Sequence, residues 1–356
     1  MKYQLKDIIS EYTEKNTNGE YEPVAVGKYG IRKRSDIYKK ELAKDYSKNK
    51  VIRKNTMIVG MGSTQIDIGV LSSDDIYSVS PAYHTFSINS SIIRSEYLDY
   101  LFQAKNSLYT SRYMIASARQ GKTVNLKDML FETVDIPDFD VQQKTVEKIN
   151  EIKDCISLEE KQLALYDELI KSRFIEMFGD PKTQEKETGT VEISTVCMLK
   201  AGKFVKAADI KDTCKDGMYP CYGANGFRGY VKSFNHDGIY NLIGRQGALC
   251  GNVTLVSGKF HATEHAVVVT PLQKLDPYWL YYFLMLLDIN RYATGAAQPG
   301  LAVSTIEKIL VKIPDLGLQE AFGNFFKTID KSKFIVQKRI DTYKELLAKK
   351  MDEYFN

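Results

Sequence analysis

The chain is predicted to be an α+β protein built by tandem duplication. Two mixed α/β domains are each closed by a long helix. The two helices are expected to pack antiparallel, as a coiled-coil spacer about a pseudo-twofold. Three observations predict this. Residues 142–178 return as 319–355 without a gap, so that Gln142 meets Gln319, Ile152 meets Ile329, Lys161 meets Lys338, Tyr166 meets Tyr343, Glu168 meets Glu345, Leu169 meets Leu346 and Phe178 meets Phe355. Both copies follow one phrase, Ile136-Pro137-Asp138 and Ile313-Pro314-Asp315. Each also carries an apolar stripe at alternating steps of three and four residues, the mark of a helical seam. A repeat of this length is a whole domain rather than a solenoid unit.

The first domain, 1–138, opens with a short amphipathic segment over 5–12. The stretch 28–54 then carries eleven Lys or Arg against Asp36, Glu41 and Asp45, a local excess of +8. Such a run is either a solvated face or a surface that neutralises phosphates. Tyr29 and Tyr38 lie within it and would add stacking or sugar contacts under the second reading. Strands are expected at 51–59, 66–71 and 85–93, with a turn at Gly60-Met61-Gly62. A helix over 96–107 and a short element over 109–118 follow. The polar loop Ser117-Ala118-Arg119-Gln120-Gly121-Lys122 then leads back towards the long helix.

That helix, 139–179, places Ile149, Ile152, Ile156, Leu163, Tyr166 and Ile170 on its stripe, and Glu159 interrupts it. Gly179-Asp180-Pro181 stops it, because glycine suits the left-handed cap and proline cannot continue a helix. After a polar linker over 182–189, the second domain (180–315) is expected to hold strands at 191–196, 229–231, 239–244, 252–256 and 266–270. Turns at 222–226 and 244–247 separate them. Residues 277–287, with Trp279, Tyr281, Tyr282 and Phe283, read as a buried helix. The loop 294–300 occupies the place that 119–123 has in the first domain. The second spacer helix, 316–356, carries Phe326, Ile329, Val336, Ile340, Tyr343 and Leu347, and Lys333 interrupts its stripe. At 1.5 Å per residue each rod spans about 55 Å, more than a small core requires. Each would pack on its own domain alone or, as the shared register favours, on the other rod. In that pairing Glu159 and Lys333 are expected to face each other.

Composition narrows the class. In 356 residues, 44% are apolar and 26% charged, as in a soluble globular protein, and there is room for two cores. No apolar run has the length of a membrane span, and the opening residues lack the layout of a signal peptide. Five scattered cysteines without a CxxC suit a reducing cytoplasm. The net charge of +4 does not by itself demand nucleic acid.

Several chemical motifs dissolve on inspection. His261-Ala262-Thr263-Glu264-His265 matches an inverted zinc-protease signature, which needs a helix to aim both imidazoles. Here it lies in strand-and-turn composition with no third ligand signalled, and no metal site is assigned. Gly60-Met61-Gly62 lacks the third glycine of a dinucleotide loop, and no Gly-Lys-Ser/Thr follows Gly244-Arg245-Gln246-Gly247. There is no G-x-S-x-G elbow and no Asn-Pro-Pro-Tyr or Asp-Pro-Pro-Tyr. The chain reads as a binder without catalytic residues.

The assembled phrases then carry a resemblance. They are Tyr219-Pro220-Cys221-Tyr222-Gly223-Ala224-Asn225-Gly226-Phe227, Leu242-Ile243-Gly244-Arg245-Gln246-Gly247-Ala248, Gly251-Asn252-Val253, Gln298-Pro299-Gly300-Leu301, Ile313-Pro314-Asp315 and Glu176-Met177-Phe178-Gly179-Asp180-Pro181. Together they resemble the specificity subunit of type I restriction–modification systems. The resemblance implies two target recognition domains, each reading half of a split double-stranded DNA site. It implies spacer helices that set the gap and dock methyltransferase subunits, with restriction subunits joining. S-adenosylmethionine and ATP would belong to those partners, and this chain would hold no cofactor. Base readers are expected among polar turn residues, since Arg pairs with guanine and Gln with adenine in the major groove. The candidates are Lys28, Tyr29, Arg32, Lys33, Arg34, Arg119, Gln120 and Lys122 in the first domain. In the second they are Lys203, Lys206, Asn225, Arg228, Arg245, Gln246 and Gln298. Three rivals stay open: a methylation-only or combined restriction system, a metal-dependent hydrolase on His261, Glu264 and His265, and a coiled-coil adaptor with no affinity for DNA.

Overall fold

The structure is a computed structural model that describes residues 1–27, 30–38, 45–117, 121–184, 188–247, 249–295 and 299–356, with no statement on the side chain at 184. The chain divides into two compact units, Met1–Glu160 with Lys338–Asn356, and Lys161–Gln337. Both long helices therefore contribute to both units. No helix among the described residues is long and apolar enough to cross a membrane.

Unit 1 begins with β1 (Lys2–Gln4), α1 (Leu5–Ile8) and β2 (Ile9–Glu11). The expected amphipathic segment over 5–12 is thus one helical turn and a strand, with Asp7 Oδ2 accepting from Gln4 N at 3.0 Å to cap the turn. The hairpin β3 (Val24–Gly27) and β4 (Gly30–Lys33) precedes β5 (Lys50–Ile52), β6 (Thr56–Met61), β7 (Ile66–Leu71), β8 (Tyr77–Val79) and β9 (His84–Ile88). The strand expected over 51–59 is broken at Asn55, whose φ of 62° is the left-handed conformation that asparagine tolerates. Gly60, expected in a turn, lies inside β6 instead. A Cβ there would sit 2.2 Å from Cδ1 of Tyr83, so the glycine makes room for a ring and the turn falls at Gly62, which donates to Gln65 O at 2.9 Å. Strands β2, β9, β6 and β7 form a four-stranded antiparallel sheet in that order.

The helix α2 (Ser95–Tyr113) lies on this sheet and runs past 107, because Tyr109 and Tyr113 are buried beside Phe102. Then come β10 (Met114–Ser117), β11 (Gly121–Val124), α3 (Leu126–Leu130) and β12 (Thr133–Asp135), the last pairing antiparallel with β1.

The first long helix is α4 (Phe139–Phe178). Unit 2 continues with α5 (Pro181–Gln184), β13 (Val191–Glu192), β14 (Cys197–Ala201), β15 (Tyr219–Gly223), β16 (Gly226–Val231), β17 (His236–Gly244), β18 (Val253–Ala262) and β19 (Ala266–Pro271). Strands β14-β19-β17-β18-β15-β16 make a six-stranded sheet, antiparallel except between β15 and β18. Sequence reading missed β14, and it placed in a turn the residues Tyr222 and Gly223 that end β15. The hairpin turn is Ala224-Asn225, closed by Gly226 at φ +85°.

Helix α6 (Pro277–Leu287) starts where expected: Asp276 accepts from Tyr278 N and Trp279 N at 3.0 and 2.9 Å, with proline in the first turn. The short α7 (Val303–Ile306) and β20 (Leu310–Val311) lead into α8 (Leu316–Phe355).

Within each unit the two long helices run in opposite directions. In unit 1, Val146 and Ile149 of α4 share a core with Phe355 of α8, and Arg339 of α8 meets Glu159 of α4 at 2.9 Å. In unit 2, Phe174 meets Phe322 with ring centroids 5.1 Å apart, and Lys333 pairs with Asp167. Of the stripe residues, Ile149, Ile152, Ile156, Ile170, Phe326, Val336 and Ile340 are buried. Leu163, Ile329 and Leu347 are half-buried. The expected pairing of Glu159 with Lys333 does not occur. Glu159 is met six residues further along α8, by Arg339, and Lys333 finds Asp167. Seam interruptions alone do not define register, because long side chains pair with whichever opposite charge the core packing leaves within reach.

One pair of repeat positions ties the long helices to the Ile-Pro-Asp phrase. Gln142 is fully buried: its Oε1 accepts from Arg94 N at 2.9 Å, and its Nε2 donates to Ile92 O at 3.1 Å and Pro137 O at 2.8 Å. Gln319, also buried, accepts from Asp276 N at 3.0 Å and donates to Pro314 O at 2.9 Å. Arg94 and Asp276 are the cap residues of α2 and α6. In both units one buried amide ties the long helix to the start of the shorter helix before it.

Candidate nucleic-acid interface

In unit 2 the candidate residues converge on one end of the sheet, around the turn between β18 and β19. Gly202 N donates to Ala266 O at 3.0 Å and Lys203 N to Ala262 O at 2.9 Å. Thr263 N donates to Tyr222 O at 2.9 Å, which brings in the β15–β16 hairpin that carries Asn225 and Arg228. Arg245 N donates to His265 O at 3.0 Å, and Leu301 N to Arg245 O at 2.9 Å. Gly247 N reaches Pro299 O at 3.0 Å, and Gln246 bridges to Gly300.

Glycines make the close approaches possible. A Cβ on Gly244 would lie 2.0 Å from Ala224 O, one on Gly202 2.1 Å from Ala262 O, and one on Gly223 2.5 Å from Cδ of Arg228. Lys203, Asn225, Arg228 and Gln246 are exposed on this rim, and Arg245 is half-buried with its Nε fully enclosed. Lys206, also exposed, immediately precedes the 3-10 turn Ala207–Asp209. Gln298 lies outside the described residues.

The His261–His265 motif belongs to the same rim. The ring Nε2 of His261 lies 3.1 Å from Lys203 O, and His265 Nε2 lies 3.1 Å from Glu264 Oε1. Among the described residues no three His, Cys, Asp or Glu side chains converge to hold a metal ion. Burial, then the nearby His261 and Lys203 charges, push the His236 pKa down, which favours the neutral form of the ring that stacks on Phe260. Burial also pushes the Cys221 thiol up and the Cys197 thiol to about 12, so neither is a nucleophile at neutral pH. The rim presents hydrogen-bonding and cationic groups on a pinned backbone, and this is the equipment for reading base edges and holding phosphates.

Unit 1 is different. Lys28, Tyr29, Arg119 and Gln120 lie outside the described residues. Lys122 is exposed on β11, opposite Ala116. Lys33 pairs with Glu22 at 2.9 Å, which raises its pKa, and Arg34 stacks over Tyr38. Arg32 is exposed on β4. Further along the basic run, Arg53 pairs with Glu14 at 2.7 Å, Lys54 with Asp74 at 2.9 Å, and Lys50 Nζ donates to Tyr83 O at 2.6 Å. The hydrogen bonds from Arg53 hold Glu14 below the usual carboxylate range. The excess of +8 is therefore partly cancelled by acids from outside the run, which no count along the sequence includes. A cleft of about 500 Å³ lies beside the hairpin, lined by Gly27, Gly30, Thr64, Gln65, Asn106 and Thr110 among others.

Sequence reasoning missed a second feature of unit 2. A cleft of about 550 Å³ is lined by Lys211, Lys215 and Lys232 with Thr213 and Ser233, against the single carboxylate of Asp209. Its lysines are spread over two segments, so only the fold gathers them. Phe204 and Phe227, at 70% and 52% exposure, also stand on or beside the rim, each within two residues of a candidate cation. The signal was visible as Lys203-Phe204-Val205-Lys206.

Comparison with known proteins returns one family. A family model described as the type I restriction modification DNA specificity domain matches residues 1–165 and 185–343. The specificity subunit of the type I restriction enzyme EcoprrI from Escherichia coli is 39% identical over 165 residues, covering 46% of this chain and 39% of the relative. A putative type I specificity subunit from Haemophilus influenzae is 30% identical over 106 residues, covering 29% of this chain and 28% of the relative. The matches thus span about two fifths or less of these curated relatives. A crystal structure of a type I restriction–modification S subunit from M. genitalium superposes with a TM-score of 0.62 at 13% identity, covering 99% of this chain and 95% of that one. Another solved structure, from work on complex assembly and conformational transition of the type I R-M system, gives a TM-score of 0.58 at 15% identity, covering 100% of this chain and 97% of that one. At such identities these two show the fold alone.

Proposed function

We propose that this chain, which belongs to the type I restriction modification DNA specificity family, is the DNA-reading subunit of such a system. Residues 1–138 and 180–315 each read one half of a bipartite duplex site. The spacer segments 139–179 and 316–356 set the unread gap and dock methyltransferase subunits. Methylation and cleavage then take place in partners, which hold S-adenosylmethionine and ATP, and the complex works in the cytoplasm. The observation that carries the reading is the rim of unit 2, where Lys203, Asn225, Arg228, Arg245 and Gln246 come from three separate segments to one end of the sheet. Partner docking is supported by large apolar side chains left open on the long helices: Leu158 at 65% and Leu165 at 69% on α4, and Ile335 at 58% on α8.

The test uses this chain assembled with its methyltransferase subunits and duplexes selected from a random pool. The wild-type complex is expected to enrich a bipartite sequence, and Arg245→Ala to weaken binding to it by ~10-fold or more while relaxing one base position, since a bidentate Arg–guanine pair is worth about 1–3 kcal/mol. If Arg245 holds a phosphate instead, the variant lowers the salt slope by about 1 and leaves the selected sequence intact. A complex that enriches no bipartite duplex refutes the reading.

A further inference from the structure

Apart from Met1, Phe204 is the most exposed large apolar side chain among the described residues, at 70%. Its rivals for exposure, Leu165 and Leu158, sit on the long helix and are accounted for by partner docking. Phe204 lies elsewhere, at the rim of unit 2. On its N-terminal side the backbone is clamped twice, by Gly202 N to Ala266 O at 3.0 Å and by Lys203 N to Ala262 O at 2.9 Å. The His261 ring adds a third tie at Lys203 O, 3.1 Å away. Gly202 is pressed so close to Ala262 O that no side chain fits there. On its C-terminal side the Lys206 carbonyl accepts from Asp209 N at 2.9 Å as a 3-10 turn begins. An apolar ring is therefore presented to solvent on a stretch with little freedom to fold it back, with Lys203 and Lys206 exposed on either side.

We propose that Phe204 is a wedge: it enters the duplex at one base step of the half-site read by unit 2, partly unstacking it, while Lys203 and Lys206 take the flanking phosphates. This rests on the DNA-reading function proposed above. The chemistry is that of a π-face offered to bases, which every base accepts, with cations placed to neutralise the backbone that the insertion crowds. A wedge recognises a step by how readily it opens, so Phe204 would favour a flexible pyrimidine–purine step and confer specificity without a hydrogen bond to any base. A ring that only touched a thymine methyl would leave the stack intact.

The experiment places 2-aminopurine at successive positions across the selected half-site, bound by the full chain with its methyltransferase subunits. The expected result is a rise in fluorescence confined to one step with the wild-type chain and with Phe204→Trp, and lost with Phe204→Ala. Phe204→Ala should also bind about tenfold more weakly, whereas Lys203→Ala should weaken binding and reduce the salt slope yet keep the signal. The wedge is overturned if no position brightens, if the signal persists in Phe204→Ala and so arises from another component, or if Phe204→Ala binds as the wild type does. It is also overturned if that variant loses the methyltransferase subunits, since Phe204 would then be a protein contact. A wild-type complex that prefers no bipartite duplex instead removes the parent reading, and the wedge goes with it.

Discussion

Units 1 and 2 share a brace and differ in nearly everything the brace carries. Each anchors its long helix through one buried glutamine on the cap of a shorter helix, Gln142 on Arg94 and Gln319 on Asp276. Yet one sheet has four antiparallel strands and the other six, with one parallel pairing. The helix contacts diverge as well. Under the repeat, Phe174 and Phe322 of unit 2 correspond to Met351 and Thr145 of unit 1. The aromatic pair of unit 2 is fully buried, whereas Met351 is only half-buried. A buried amide that both accepts from and donates to fixed backbone groups tolerates almost no replacement, whereas an apolar contact of fixed volume tolerates many. That is why the duplicated polar anchors stayed in register while the packing around them drifted.

The largest effect should separate the two units by packing. Phe322→Ala removes a ring that touches Phe174, Phe178 and Tyr282, and it is expected to cost about 3–5 kcal/mol. Met351→Ala, at the position matching Phe174, should cost about 1–2 kcal/mol because its side chain is only partly removed from water. Urea unfolding of both variants checks this, and equal losses would break the comparison.

A finer test concerns the anchors. Gln142 makes three hydrogen bonds and Gln319 two, so Gln142→Leu leaves Arg94 N, Ile92 O and Pro137 O unsatisfied. The expected cost is about 2–4 kcal/mol for Gln142→Leu and about 1–3 kcal/mol for Gln319→Leu. Hydrogen exchange at the first turns of α2 and α6 should report the loss locally. If Gln319→Leu proves the more damaging, the count of bonds is the wrong measure of these anchors.

A last effect is one of pH and belongs to unit 1 alone. Five residues past its cap, α2 carries Asp99, which burial lifts to about 6 against the opposing pull of Lys153 on α4. Five residues past its cap, α6 carries Tyr281, and the position matching Lys153 is Asp330. Burial and Asp330 raise the Tyr281 phenol above its ordinary value, so it stays neutral throughout the physiological range. Between the ordinary carboxylate pKa near 4 and about 6, folded unit 1 retains on Asp99 a proton that the unfolded chain has released. Its stability should therefore fall as pH rises through that window and level off above it, by up to about 2–3 kcal/mol. Asp99→Asn should flatten this dependence in pH-resolved unfolding. An unchanged slope would assign the titration to another group.

Much of the fold could be read without coordinates. The stripes of Ile149, Ile152 and Ile156 and of Phe326, Val336 and Ile340 announce long helices, and Asp276-Pro277 announces the start of α6, because these depend on local spacing and local hydrogen bonds. The strands were read less well. Gly60 and Gly223 look like turn residues, yet they lie in strands where a neighbouring side chain, Tyr83 or Arg228, occupies the space a Cβ would need. The polar turns of unit 2 were legible as candidates, but their convergence around Thr263 was not.

The sequence alone settled that the chain is duplicated, where its long helices run and what family phrases it carries, since periodicity and repetition are properties of neighbours along a chain. Only the tertiary structure decided which charges meet. It sent Glu159 to Arg339 and Lys333 to Asp167, spent Lys33, Arg53 and Lys54 of the basic run on acids from elsewhere, and left Phe204 in water between two lysines. Pairing between distant side chains depends on where the backbone brings them within a few ångströms, and no spacing along the chain encodes that distance.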